Sequence, residues 1–312
     1  MGEELKRTSI ENPDDYLSIN CTTENLALVN NAEGCTDLGS MAIVGSTAYC
    51  IKTNSANSLS VFYTVKDYKT YTTSSSKIIA NYTTKTISGL HHANGMAYYN
   101  KKLYVVGYTS EIFQAFRLSL KGDVEIIYQM PCKASAISFY KKDSSSGDET
   151  FIVRADDRLV TDSAGNKYYY FIVGVFKETS SGRGVFEEKS HFFALCGPYT
   201  VNQDITYIRN HLIVPTVKKE LDAEGNYVYL KNKILIYYIG ESEPWTNEGF
   251  SYYSCNTVLN IDKSKDTTYK KYELESPQLV DDKIICVANI ERTVTPKSAD
   301  GFQKINGYTL IN

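Results

Sequence analysis

GMAYYNKKLYV, residues 95–105, reads as a short strand, a polar turn and a second strand. Apolar residues alternate on either side of Asn100-Lys101-Lys102, as a half-buried hairpin requires. The same pattern recurs without a gap in SMAIVGSTAYC (40–50), DITYIRNHLIV (204–214) and SPQLVDDKIIC (276–286). A fifth copy, AISFYKKDSSSGDETFIV (136–153), carries a longer turn whose SSSGD is hairpin-loop material. The first-strand anchors are Met41, Met96, Ile137, Ile205 and Pro277, spaced by 55, 41, 68 and 72 residues.

A third strand is predicted after each hairpin: SLSVFYTV, IFQAFRLS, YYYFIVGVF, KILIYYIG and GYTLI. A fourth follows in four units: KIIANYT, VEIIYQM, HFFALC and NTVLNI. Four antiparallel strands per unit, repeated at this spacing, predict an all-β five-bladed β-propeller. The last unit lacks a fourth strand, and LALVN at 26–30 is spare. The N-terminal strand is therefore expected to complete the fifth blade and close the ring, which removes open sheet edges. The chain is expected to be one domain over 1–312, with 1–23 an N-terminal extension and blades starting near 38, 93, 134, 202 and 274. A sandwich of repeated hairpins is the competing architecture. Residues 241–262 read as a Pro/Gly-broken loop before a strand rather than a sixth unit.

Composition bounds the function. Apolar residues make up 42%, enough for a core, so a disordered chain is excluded. A net charge of −3 lacks the basic excess of a nucleic-acid-binding surface, and basic pairs such as Lys218-Lys219 and Lys270-Lys271 read as solvated loops. The 26 tyrosines fall mostly in strand-like runs, where the ring suits a pleated, half-buried surface. Seven cysteines with no CxxC spacing argue against zinc and for reduced, buried thiols. Cys35, in EGCTDLG, is expected as a loop thiol. No apolar run reaches the ~18 residues of a membrane helix. The charged start of the chain is not a signal peptide, so the sequence as written is cytoplasmic, or secreted if a leader was removed.

In a ring of this kind, the residues just before each inner strand gather at one channel mouth. Two positions before the anchors lie Gly39, Asn94, Ser135, Gln203 and Glu275; four before lie Asp37, His92, Lys133, Val201 and Glu273. With Asp204, these polar groups above apolar anchors suit a polar ligand such as a sugar. Water filling the channel would also make its mouth polar. His91 and His92 are adjacent and point opposite ways in an extended segment, so they make a poor metal pair. No metal or cofactor is expected. Trp245, Phe250, Tyr252 and Tyr253 are candidate aromatic contacts for a protein partner. A non-catalytic recognition module for a glycan or a protein accounts for these features. The alternative is a glycoside hydrolase using channel carboxylates, Asp204 and Glu275 from neighbouring blades. No GxSxG, P-loop, HExxH or EF-hand string is present.

The segment HHANGMAYYNKKLYVVG (91–107) resembles a repeat of bacterial and phage propeller proteins related to helveticin-type bacteriocins. There a His-Ala-Asn-Asp-Met-Thr-Tyr-like string precedes a Lys-Leu-Tyr-Val strand. The resemblance implies a propeller of bacterial or phage origin. Gly95 and Ala97 stand here in place of that Asp and Thr.

Overall fold

The computed structural model describes residues 16–69, 81–196, 201–218, 220–222, 225, 228–240, 244–247, 249–295 and 297–310. Among them every regular element is a strand except one short 3₁₀ turn at Asp156–Arg158. The strands fall into five meander units. The first is Asp37–Val44, Thr47–Thr53, Leu59–Lys66 and Asn81–Ser88, in that hydrogen-bonded order. The second is His92–Tyr99, Lys102–Tyr108, Phe113–Leu118 and Val124–Gln129. The third is Ala134–Lys142, Glu149–Ala155, Lys167–Ser180 and Arg183–Leu195. The fourth starts on the broken strand Val201–Asn202 and Thr206–Ile208, then His211–Val217, Lys231–Tyr238 and Thr257–Asp262. The fifth is Tyr269–Val280, Lys283–Arg292 and Gly301–Asn306, with Thr22–Leu28 as its fourth strand.

Turn chemistry makes the inner hairpins tight. Asn100-Lys101, Arg209-Asn210 and Asp281-Asp282 all have positive φ at both positions, the twist that a two-residue hairpin turn needs. The four apolar anchors Met41, Met96, Ile137 and Ile205 are at most 1% exposed. Burying each is worth about 1.5–3 kcal/mol. The first strands of consecutive units pack on one another, and that of the fifth packs on that of the first.

Several strands differ from the sequence reading. The spare N-terminal strand runs Thr22–Leu28 rather than 26–30, and pairs antiparallel with Gly301–Asn306, Thr22 opposite Asn306. That places the third strand of unit five ahead of GYTLI. Phe302 and Ile305 point to opposite faces of this strand and enter separate core clusters, while Tyr308 and Leu310 are buried without joining the ladder. The fourth strand of unit one lies at Asn81–Ser88, and positions 77–80 of KIIANYT lie outside the described residues. Within the stretch 1–23, Leu17–Asn20 forms a further strand, parallel to Thr257–Asn260 at the outer edge of unit four.

The units are not all separate sheets. The hairpin of unit three is long enough to overhang, and Arg183–Val185 pairs parallel with Ile127–Gln129 of unit two. The stretch read as a loop contains a small hairpin, Trp245–Asn247 with Phe250–Tyr253, whose second strand pairs parallel with Phe193–Ala194. Aromatic packing replaces the expected loop there: Phe250 lies 5.0 Å from both Phe193 and Tyr168.

A buried ion pair pins unit one to unit five. Lys52 Nζ lies 2.8 Å from Asp300 Oδ2, with side chains 0% and 6% exposed, and Asn31 Oδ1 accepts a second bond at 2.6 Å. All seven cysteines are free and buried. Cys35 is 0% exposed and not a surface thiol; burial raises its pKa, and its Sγ lies 3.3 Å from the Leu59 carbonyl.

Candidate functional site

Each inner strand breaks its regular pairing at the same level. The register shifts between Leu38 and Ser40, Ala93 and Gly95, Ala134 and Ala136, and Leu274 and Pro277. In unit four the strand itself is interrupted between Asn202 and Thr206. The residues left over include Gly39, Asn94, Ser135, Gln203 and Glu275, with Ser276 also unpaired in unit five. A β-bulge re-aims the side chain it carries, and here the bulges bring the polar column together. Pro277, which lacks an N–H for the ladder, is accommodated at the same irregularity.

The polar groups form layers. Outermost are Asp37, His92, Lys133 and Val201, all half-buried, with Tyr108 and Lys271 beside them. His92 Nδ1 is 3.1 Å from Asn57 Oδ1 of unit one, and its ring meets Tyr108 edge-on at 5.3 Å. Lys133 Nζ sits 4.4 Å from the Tyr108 ring centroid, a cation–π contact. Burial lowers the His92 pKa, which favours the neutral ring.

Beneath lies a buried, mutually bonded layer. Asn94 donates to Gln203 Oε1 at 3.4 Å, and Gln203 Nε2 donates to Glu273 Oε1 at 2.8 Å. Arg154, 1% exposed, donates to the Gln203 carbonyl at 2.7 Å, Ser135 Oγ at 2.6 Å and Asp156 Oδ1 at 2.8 Å. Asn289 Oδ1 accepts the Leu38 N–H at 2.7 Å, which turns its amide nitrogen toward two carboxyls: Asp37 Oδ1 at 2.8 Å and Glu275 Oε1 at 3.1 Å. Lys271 Nζ is 2.7 Å from Glu273 Oε2.

Glu275 differs from the rest of this layer. It is 3% exposed, and its Oε2 is buried with no hydrogen-bond partner. Burial, then the negative charges of Glu273 and Asp37, push its pKa well above the usual carboxylate range. Burial also raises Glu273, against the pull of Lys271. A carboxyl that burial holds protonated can donate a proton.

Deepest is a level formed by Ser40, Gly95, Ala136, Asp204 and Ser276, one position before each anchor. Ser40, Ala136, Asp204 and Ser276 are 0% exposed, and Gly95 is buried too. Asp204 occupies the middle of it. Oδ1 accepts the Ile137 N–H at 3.0 Å; Oδ2 accepts the Met96 N–H at 2.9 Å and lies 2.6 Å from the Ser276 hydroxyl. Ser276 Oγ lies 3.2 Å from the Met41 carbonyl. A hydroxyl has one hydrogen, so both Ser276 contacts are hydrogen bonds when a protonated Asp204 donates to Ser276 Oγ and Ser276 donates to the Met41 carbonyl; one carboxyl and one hydroxyl then link all five inner strands. Burial raises the Asp204 pKa to about 7 despite these bonds. Gly95 is required here, because a Cβ would come within 2.8 Å of Asp204 Oδ1 and 2.9 Å of the Ala136 Cα.

The structure brings Asp37, His92, Asn94, Lys133, Ser135, Gln203, Glu273 and Glu275 to one end of the inner strands. Asp204 lies below them, its oxygens committed to backbone and Ser276. Tyr108, Arg154, Lys271, Ser276 and Asn289 join the cluster unannounced by the sequence reading, because they lie on second strands or off the aligned columns. The partner candidates lie elsewhere, on the sheet of unit three: Tyr252 is buried, while Trp245, Phe250 and Tyr253 are half-buried. Among the described residues, no group of three or more His, Cys, Asp or Glu side chains is placed to hold a metal ion. None of the described helices is long and apolar enough to cross a membrane. A cavity of about 270 Å³ between units two and three is rimmed by Arg117 paired with Glu178 and Lys177 paired with Asp148. It is lined by none of the mouth residues.

No family profile matches the sequence, and no curated protein matches it either. Among solved structures, a thermostable family-43 glycoside hydrolase aligns with a TM-score of 0.36 and 12% identity over 88% of each chain. Drosophila Semaphorin 2a aligns with a TM-score of 0.30 and 10% identity, over 84% of this chain and 56% of that one. Similarity this distant leaves the chemistry of the mouth to its own residues.

Proposed function

We propose that the five units are the blades of one propeller, closed by Thr22–Leu28, and that this propeller is a recognition module whose mouth binds a glycan. The cyclic packing of the inner strands and the pairing of Thr22–Leu28 with Gly301–Asn306 support the ring. The unpartnered, buried Oε2 of Glu275 carries the binding reading. Leaving a buried polar atom unbonded costs about 1–3 kcal/mol. That cost is recovered when a ligand hydroxyl or amine supplies the missing bond. Half-buried Tyr108 and His92 add apolar area beside polar groups, the mixture a sugar ring fits. The likeness of residues 91–107 to helveticin-type proteins suits a role in bacterial or phage competition.

Glycoside hydrolysis is the second reading, favoured by one observation: a protonated Glu275 next to Asp37 is an acid beside a candidate base. Asp204 is a poor participant in that chemistry, since backbone groups and Ser276 occupy both its oxygens. A glycan array with wild type, Asp37→Asn and Glu275→Gln, followed by reducing-sugar release on the hits, tests both. Binding lost in the variants without sugar release supports recognition. Sugar release abolished by Glu275→Gln replaces it with hydrolysis, and binding indifferent to both substitutions removes the mouth as the site.

A further inference from the structure

We propose that the ligand presents a primary ammonium, as on an amino sugar, to Asp37, Glu273 and Glu275. The inference rests on the mouth being the binding face.

Three carboxyls converge here, and Asn289 bridges two of them with a single amide nitrogen. One ammonium is already present: Lys271 Nζ, 2.7 Å from Glu273 Oε2. The other nearby cations are engaged elsewhere. Arg154 is bonded to Asp156, Gln203 and Ser135, and Lys133 lies over Tyr108. One cation therefore faces three carboxyls, and Glu275 Oε2, 97% of its residue shielded from solvent, has no donor. A neutral hydroxyl would bring one donor and no charge. Among the described residues, no three His, Cys, Asp or Glu side chains are placed to hold a metal ion. An ammonium brings a charge and up to three donors on one nitrogen, as Lys271 already does beside Glu273; it bonds the nearest acceptors, and its charge acts on the others.

Lys271 supplies the route in. Its side chain is 30% exposed on a flexible stem, so it can swing outward and yield its place. It acts as a resident competitor for the incoming amine. An ammonium placed beside Glu275 itself, and not only beside Glu273 where Lys271 sits, favours ionisation of a carboxyl that burial and its neighbours keep protonated, so binding releases a proton.

The test is titration calorimetry with a glucosamine tetramer and its fully N-acetylated counterpart, in two buffers of different ionisation enthalpy. Wild type is expected to prefer the free amine by about tenfold or more, with proton release. Glu275→Gln is expected to lose most of that preference and the proton release. Lys271→Ala is expected to tighten the amine form several-fold relative to the acetylated form. Equal binding of the two tetramers, or tighter binding of the acetylated one, overturns the ammonium assignment. The mouth reading survives that result if Glu275→Gln still changes affinity. Failure of both tetramers to bind, or binding unmoved by either substitution, overturns both. Denaturant midpoints of the two variants establish that each is folded.

Discussion

Asp204 and Glu275 are both buried carboxyls on inner strands, both with raised pKa values, yet their surroundings are opposite. Asp204 has hydrogen-bond partners on both oxygens, from three other units. Glu275 has a donor on one oxygen and none on the other. A fully satisfied buried network rigidifies a fold, whereas a half-satisfied one is costly unless something completes it. On that ground Asp204 belongs to the architecture, and Glu275 is the carboxyl we propose for ligand contact, although a repeat alignment places them in similar positions.

The largest expected effect is at the satisfied carboxyl. Asp204→Asn turns an amide donor toward the donors of Met96 or Ile137, and should cost about 2–4 kcal/mol, read as a lower urea midpoint. Gly95→Ala pushes a methyl into the same network from unit two and should cost about 1–3 kcal/mol in the same assay. A double variant, Gly95→Ala with Asp204→Gly, that loses less stability than the two single losses summed would show that the two share one space.

Titration separates the sites next. A folded-state pKa of about 7 for Asp204, against 3.8 for the free side chain, means the native state holds an extra proton between those values. Stability from this group is full below about pH 4, falls as pH rises to about 7, and is flat above. Glu273 and Glu275 push in the same direction. The midpoint should drop from about pH 5 to about pH 8, and Asp204→Asn should shrink the drop. A midpoint that rises over this range would contradict the assignment of Asp204 as a buried, proton-holding hub.

The smallest effect should be at the unsatisfied carboxyl. Glu275→Gln keeps the shape, removes the cost of a buried charge, and should change stability by no more than about 1 kcal/mol in either direction. If it destabilises as much as Asp204→Asn, the distinction between the two carboxyls fails.

The sequence reading reached the inner hairpins because apolar alternation there is regular: Met41, Met96, Ile137 and Ile205 are all core. It failed where the period of two fails. Assuming unbroken alternation puts the columns of Glu273 and Glu275, and of His92 and Asn94, on one face at one depth. The bulges separate them, leaving Asp37, His92 and Lys133 half-exposed and Asn94, Ser135 and Gln203 buried. The axial level was invisible because Ser, Gly and Ala carry no hydrophobic signal, and Asp204 looked like a free channel acid. GYTLI reads as a strand on composition, yet Gly301 to Lys304 holds the ladder to the second strand of unit five. The hairpin at 245–253 eluded notice because its support comes from the sheet of unit three, distant in sequence.

The pairing of Thr22–Leu28 with Gly301–Asn306 also constrains synthesis. On the ribosome the earlier strand emerges almost three hundred residues before its partner. Until then its ladder groups, and the Lys52 ammonium awaiting Asp300, stay uncompleted. Contacts this remote in sequence slow folding and prolong exposure of a bare strand. Truncation ahead of Gly301 is therefore expected to leave Thr22–Leu28 as a bare strand and to promote aggregation, measurable by light scattering.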